Sequence, residues 1–124
     1  MNLNQVTLFS TDLNMSVAFY QQLGLQLIVD ALPRYARFLC PDGSSTFSLH
    51  HSETLPKEEG AWIYFECADL DLKIVTLIEA GIVIEEMPED KPWLWREARL
   101  RDPDGHLLIL YYAGENRTNP PWRI

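Results

Sequence analysis

The sequence predicts an α+β protein made of two βαβββ repeats whose strands form a curved mixed sheet around a cleft, and three observations predict it. Asp12-Leu13, Val17, Tyr20 and Gly24 recur as Asp69-Leu70, Ile74, Leu77 and Gly81, every pair 57 positions apart. Short β-type runs flank both blocks. Each block is then followed by two further β-type runs joined by Pro-Asp-Gly, at 41–43 and at 103–105. Self-similarity at a fixed period marks a duplicated supersecondary unit, and neither unit alone has the elements to cover its own sheet.

The elements follow in order. NQVTLFS (4–10) is the first strand, with β-branched and aromatic residues in alternation. A helix over about 12–23 opens on Asp12, a side chain that accepts from the first free amides. It carries apolar residues at spacings of four and three and closes on Gly24, suited to a left-handed cap. LQLIVD (25–30), YARFLC (35–40) and TFSLHH (46–51) complete the first module, the last two around the turn Pro41-Asp42-Gly43. The second module repeats this: WIYFEC (62–67), a helix over about 69–80, IVIEE (82–86), and REARLR (96–101) with HLLILYY (106–112) around Pro103-Asp104-Gly105. The two turns are 62 apart rather than 57, so the second module holds about five extra residues, expected in the loop MPEDKPW at 87–93. One domain over 1–124 is expected, with modules at about 1–55 and 58–114 and a C-terminal tail at 115–124.

Composition narrows the function. The chain has 124 residues, 47% of them apolar, and no run approaches the ~18 apolar residues of a membrane span. MNLNQVTL lacks the basic and apolar regions of a signal peptide. A cytoplasmic protein with no membrane partner is therefore expected, and in that setting Cys40 and Cys67 are read as reduced strand cysteines. Eighteen acidic against ten basic side chains give a net charge of −8, with the acids scattered along the chain. Nucleic acid is excluded as a partner, because phosphate binding needs clustered Lys and Arg. A cationic ligand is permitted.

No Gly-rich phosphate loop, zinc-type Cys pair, HExxH or nucleophile elbow is present. Glu66 and Glu97 remain as possible general bases. The cleft positions offer aromatic surface instead: Phe38, Trp62, Tyr64, Trp93 and Tyr111, with His50 for polar contact, form the expected ligand-binding set. The opposing reading for Trp62 and Trp93 is core, and Trp93 and Trp95 are expected to enter the seventh strand. Trp122 is expected to anchor the tail.

The paired halves, the helix start TDLNMSVAFYQQLGL, the turn RDPDGHLL and the closing AGENR together resemble the vicinal oxygen chelate superfamily. That superfamily includes glyoxalase I, fosfomycin-resistance proteins, extradiol dioxygenases and bleomycin-resistance proteins, and the resemblance covers nearly the whole chain. It implies four metal-ligand positions, two per module, usually filled by His, Gln or Glu. Here they fall on Gln5, Ser48, Trp62 and Ile109. Trp and Ile cannot ligate, so no tightly bound metal is expected. The alternative is a divalent metal held by Gln5, His50 and Glu66, in a glyoxalase-type lyase or a dioxygenase. The segment PWLWREARLRDPDGH is similar to the bleomycin-resistance branch through Pro92, Trp93, Arg96, Glu97, Arg101, Asp102 and Pro103. That similarity implies a small, acidic, metal-free homodimer that sequesters a planar cationic antibiotic. The tail GENRTNPPWRI is closer to unassigned glyoxalase-like proteins. A further reading is an interaction module whose cleft is filled by its own Trp side chains.

Overall fold

In the computed structural model, residues 2–55, 57–58 and 60–124 are described; Met1, and Pro56 and Glu59 at the expected module junction, lie outside them. The chain divides into two compact units, Met1–Glu58 with Asp102–Asp104, and Glu59–Arg101 with Gly105–Ile124.

The first unit runs β1 (Gln5–Ser10), α1 (Leu13–Leu23), β2 (Gln26–Ala31), β3 (Tyr35–Leu39), β4 (Thr46–His51). Its sheet has the order β1-β4-β3-β2, with β1 parallel to β4 and the other pairs antiparallel. The Asp12 carboxylate accepts from the Met15 amide at 3.2 Å, and Gly24, at φ 112°, closes the helix in the left-handed conformation that a side chain would strain. The expected stripe Leu13, Val17, Tyr20 is buried. It packs on Phe38 and Phe47, whose ring centroids lie 5.9 and 4.6 Å from that of Tyr20. Strand side chains alternate between faces, so Val6, Leu8, Ala36, Phe38, Phe47 and Leu49 turn toward α1. Gln5, Thr7, Tyr35, Arg37, Ser48 and His50 turn away.

The second unit repeats the plan: β5 (Ile63–Glu66), α2 (Leu70–Glu79), β6 (Glu86–Asp90), β7 (Arg96–Arg101), β8 (Leu107–Tyr112), in the order β5-β8-β7-β6. A short 3-10 turn, Gly114–Arg117, follows. Leu70, Ile74 and Leu77 are the buried stripe of α2, as the repeat requires, although Asp69 makes no side-chain capping bond. Arg96 bonds Asp71 of α2 at 3.0 Å. This fixes the even-numbered residues of β7 on the helix side, and leaves Glu97 and Arg99 on the other with their neighbours Tyr64, Ile109 and Tyr111.

One strand is displaced from its expected place. IVIEE at 82–86 reads as β by composition, yet β6 begins only at Glu86 and takes in MPED, expected as loop. The Ile82 amide is used by the helix end, donating to the Leu77 carbonyl at 3.0 Å after Gly81 at φ 90°. The β6–β7 ladder then shifts register between Glu86 and Glu89. That irregularity holds Pro88, which has no amide to give to a ladder and is tolerated on an edge strand. In register, Ala31 pairs with Tyr35 across three residues where Glu89 pairs with Glu97 across seven, so most of the extra residues of the second module lie between β6 and β7, at the end of the expected loop and just beyond it. Trp93 and Trp95 stay outside β7, in a tight loop where the Lys91 amide donates to the Trp95 carbonyl at 2.8 Å and the Leu94 amide to the Lys91 carbonyl at 2.9 Å. No helix among the described residues is long and apolar enough to cross a membrane. Cys40 and Cys67 are free thiols.

Candidate functional site

On the first unit, the face turned away from α1 is polar and tied together. Arg37 Nε donates to the Tyr35 hydroxyl at 2.8 Å, the Tyr35 and Ser48 hydroxyls bond at 2.7 Å, and Gln5 Nε2 donates to Ser48 Oγ at 2.9 Å. The Thr46 hydroxyl closes the chain on Gln5 Oε1. His50 stands exposed on this face, edge-on to Phe9 and Tyr35, with Nδ1 2.9 Å from its neighbour's carbonyl. Phe38 corrects the expectation: it is fully buried against Tyr20 and Phe47. Its strand position has the helix-facing parity, which removes it from the ligand-facing set.

On the second unit, the face turned away from α2 is aromatic. Trp95 stacks on Tyr111 with centroids 4.7 Å apart and planes 22° from parallel, and Tyr64 meets both rings edge-on at 5.9 and 5.5 Å. Tyr64 is 41% exposed and Trp62 49% exposed. The Arg99 guanidinium lies 5.5 Å from the Trp62 ring centroid, a cation–π distance. Beneath the exposed rings is a buried carboxylate, Glu97, which accepts from the Trp93 indole at 2.7 Å. Burial pushes the Tyr64 phenol up, as does the Glu97 charge, against the opposing pull of Arg99. Tyr111 is raised by burial and then by Glu66. Glu66 itself accepts from the Ala113 and Gly114 amides at 3.0 and 3.1 Å, with Arg117 at 3.8 Å.

The strand registers test the proposed metal positions. Thr7 pairs with Ser48 and Tyr64 with Ile109, so the assignments Gln5–Trp62 and Ser48–Ile109 are equivalent places in the two units. The donor set does not fit a metal. Ile109 is completely buried in a cluster with Leu107, Tyr111, Ala113 and Trp95, and the Trp62 ring offers no lone pair in its plane. Gln5 and Ser48 are committed to one another. A catalytic divalent ion needs three or four N, O or S donors from the protein. The substitute set fares no better, since Gln5 and Glu66 are both engaged with their own unit.

The turn expected at Pro103-Asp104-Gly105 has a role that the sequence did not disclose, as an anchor for the first helix. Asp102 is buried and accepts from the Tyr20 hydroxyl at 2.7 Å; its other oxygen accepts from the Asp104 amide at 2.9 Å. Asp104 accepts from the Thr11 amide and hydroxyl at 2.9 Å and from the Ser16 hydroxyl at 2.8 Å. Burial raises Asp104, but hydrogen bonds from Ser10, Thr11 and Ser16 outweigh it and hold the carboxyl below its ordinary value. Burial and Asp102 keep the Tyr20 phenol protonated. A signal was present: where the repeat has Leu77 and Cys40, these positions hold Tyr20 and Asp102, so both members of a polar pair depart from the repeat together. Asp102, matched above to the bleomycin-resistance motif, is therefore engaged within the fold. So are Arg96, which binds Asp71 and Asp90, and Arg101, which binds Glu85. Trp95, expected as part of the seventh strand, joins the aromatic face, as does Arg99, which the sequence did not single out. Trp122 lies exposed on the tail.

Residues 2–110 match the Glyoxalase/Bleomycin resistance protein/Dioxygenase superfamily. The uncharacterized protein YraH of Bacillus subtilis (strain 168) is 31% identical over 127 residues, spanning 90% of this chain and 98% of that one. Among solved structures, a bleomycin-binding protein complexed with bleomycin is similar at TM-score 0.75 and 22% identity, over 90% of this chain and 98% of that one. Lactoylglutathione lyase from Agrobacterium tumefaciens is similar at TM-score 0.75 and 19% identity, over 90% and 92%. At these identities the two structures speak to the fold alone.

Proposed function

The chain belongs to the glyoxalase/bleomycin resistance protein/dioxygenase superfamily, and from that membership we propose that it binds a small aromatic or cationic molecule on the aromatic face of its second unit, without a tightly bound metal. One observation carries the reading: at the two metal positions of that unit stand a buried isoleucine and a half-exposed indole, Ile109 and Trp62. A surface that cannot ligate but presents Trp62 and Tyr64 to solvent is suited to stacking. Each aromatic or cation–π contact is worth roughly 0.5–2 kcal/mol, so several together support useful affinity. Tyr111 completes the proposed ligand set on this face, with Trp93 beside Glu97; His50, expected in the same set, stands on the polar face of the first unit.

Bleomycin is the first trial ligand, since a fold neighbour is a bleomycin-binding protein. It will quench tryptophan fluorescence saturably, and Trp62→Ala will weaken binding while costing well under the ~3–5 kcal/mol of deleting a packed core Trp. Unfolding by Trp62→Ala, or a ligand response that the substitution leaves unchanged, would remove Trp62 from the site. Elemental analysis of purified protein will find Ni, Zn, Mn and Fe substoichiometric and lost on dialysis. One ion per chain, abolished by Gln5→Ala or His50→Ala, would replace this reading with a metal-dependent lyase or dioxygenase. We also propose a cytoplasmic homodimer: β2 is an edge of its sheet and carries half-exposed Ile28 and Val29, and pairing of chains is a common way to cover such an edge. Light scattering will give twice the 14.4 kDa chain mass; a monomer at micromolar concentration would refute it.

A further inference from the structure

We propose that Glu97 is the charged anchor of this face, binding a planar aromatic amidinium or a similar flat cation with two N–H donors, and that Trp93 covers the carboxylate until the ligand displaces it. The inference rests on the ligand-binding reading above and names the ligand class. Glu97 is 2% exposed, and buried carboxylates ordinarily have both oxygens satisfied. Here only Oε1 is, by the Trp93 indole N–H at 2.7 Å. Oε2 has no hydrogen-bond partner among the described residues. Its nearest cation, Arg99 Nη2, is 4.0 Å away, too far to bond.

Arg99 does not settle the charge either. The same guanidinium stands 3.2 Å from the Glu86 carboxylate through Nε, without the alignment of a hydrogen bond, and lies over the Trp62 ring. Two carboxylates share one guanidinium, so the cluster of Glu86, Glu97 and Arg99 carries one uncompensated negative charge. Glu66, the other acid on this face, already has two amides and Arg117. The negative charge is therefore centred on Glu97, and it reaches the exposed Tyr64 ring.

Trp93 is placed to leave. It is 42% exposed and sits in the Lys91–Trp95 loop, where Leu94 adopts φ 68°, a left-handed conformation costly for a leucine. Its N–H occupies one oxygen in the way a ligand N–H would. An amidinium has two parallel N–H donors matched to the two oxygens of a carboxylate: one takes over the bond to Oε1 and the other satisfies Oε2. The attached ring then lies against Trp62 and Tyr64. A neutral amide of the same shape offers donors on one nitrogen only and no charge.

The test titrates tryptophan fluorescence with 2-naphthamidine and with 2-naphthamide, its neutral analogue. The wild-type chain is expected to bind the amidine at least tenfold more tightly than the amide. Glu97→Gln is expected to bring that ratio near one with little change in amide affinity. Trp93→Phe keeps a ring but removes the competing N–H, and is expected to tighten amidine binding several-fold; it decides the matter if Glu97→Gln does not fold. Equal binding of the two probes by the wild type, an unchanged ratio in Glu97→Gln, or amidine binding not tightened by Trp93→Phe overturns the role of Glu97 while leaving a stacking site intact. Failure of both probes and of bleomycin to bind removes the ligand-binding reading and this inference with it.

Discussion

Ile109→Glu will destabilise the second unit by at least ~3 kcal/mol, the range for an unpaired buried charge, and will bring no metal with it. Ile109 is fully buried among Leu107, Tyr111, Ala113 and Trp95. The cation across the strand is Arg99, paired in register with Ile109 and already shared by Glu86 and Glu97. A third carboxylate would compete for one guanidinium. Urea denaturation will show the loss as a lowered midpoint, and elemental analysis after exposure to Zn, Ni, Mn and Fe will show no bound ion. Ile109→Val is the control, at roughly 0.5–1.5 kcal/mol. A folded Ile109→Glu chain holding one ion would mean that the metal position survives and needs only its ligand restored.

The second large effect falls on the Asp102–Asp104 turn. Asp102→Ala strips the acceptor from the Tyr20 hydroxyl, which is completely buried, and also frees the Asp104 amide. Hydrogen bonds to charged groups are worth about 1.5–3 kcal/mol, and an orphaned buried donor adds to the loss, so about 3 kcal/mol is expected. Tyr20→Phe removes the same bond, leaving no buried donor behind but taking one donor from the buried Asp102 carboxylate, and should cost about 2 kcal/mol. The double variant should cost less than the sum of the two, because both break one contact; simple additivity would show that the bond contributes nothing. Asp104 adds a pH dependence of definite sign. Its carboxyl is held below the ordinary 3.8, so its stabilisation is complete above that value and is lost as pH falls through the lower folded value. Asp104→Asn should flatten the acid limb of the stability curve below about pH 4 and leave its shape near neutrality unchanged.

What the sequence disclosed follows the physics of each element. Helix stripes are periodic, and Leu13, Val17, Tyr20 and their counterparts Leu70, Ile74, Leu77 were legible because burial alone selects them. The strands around the two Pro-Asp-Gly turns were legible because turn chemistry fixes their ends. β6 was not, since Ile82 and Val83 look like strand while the helix terminus takes the Ile82 amide. Phe38 was misassigned for a related reason: alternation gives two faces, and only packing against Tyr20 says which one meets the helix. In the candidate site, Trp62 and Ile109 could be placed by counting along the repeat. The relation of Trp93 to Glu97 could not, because it depends on the path of the Lys91–Trp95 loop. Arg99 was hidden because an arginine in REARLR carries no mark of the ring it covers.

The Tyr20–Asp102 bond also bears on how such a protein can be cut. A gene ending at the first compact stretch, near residue 58, would encode a helix whose innermost phenol has lost its acceptor 82 positions downstream. The matching helix has Leu77 at that place, which needs no acceptor, so the two repeats are not interchangeable there. The pair ties the first helix to the turn of the second repeat, and it makes the two halves poor candidates for separate expression.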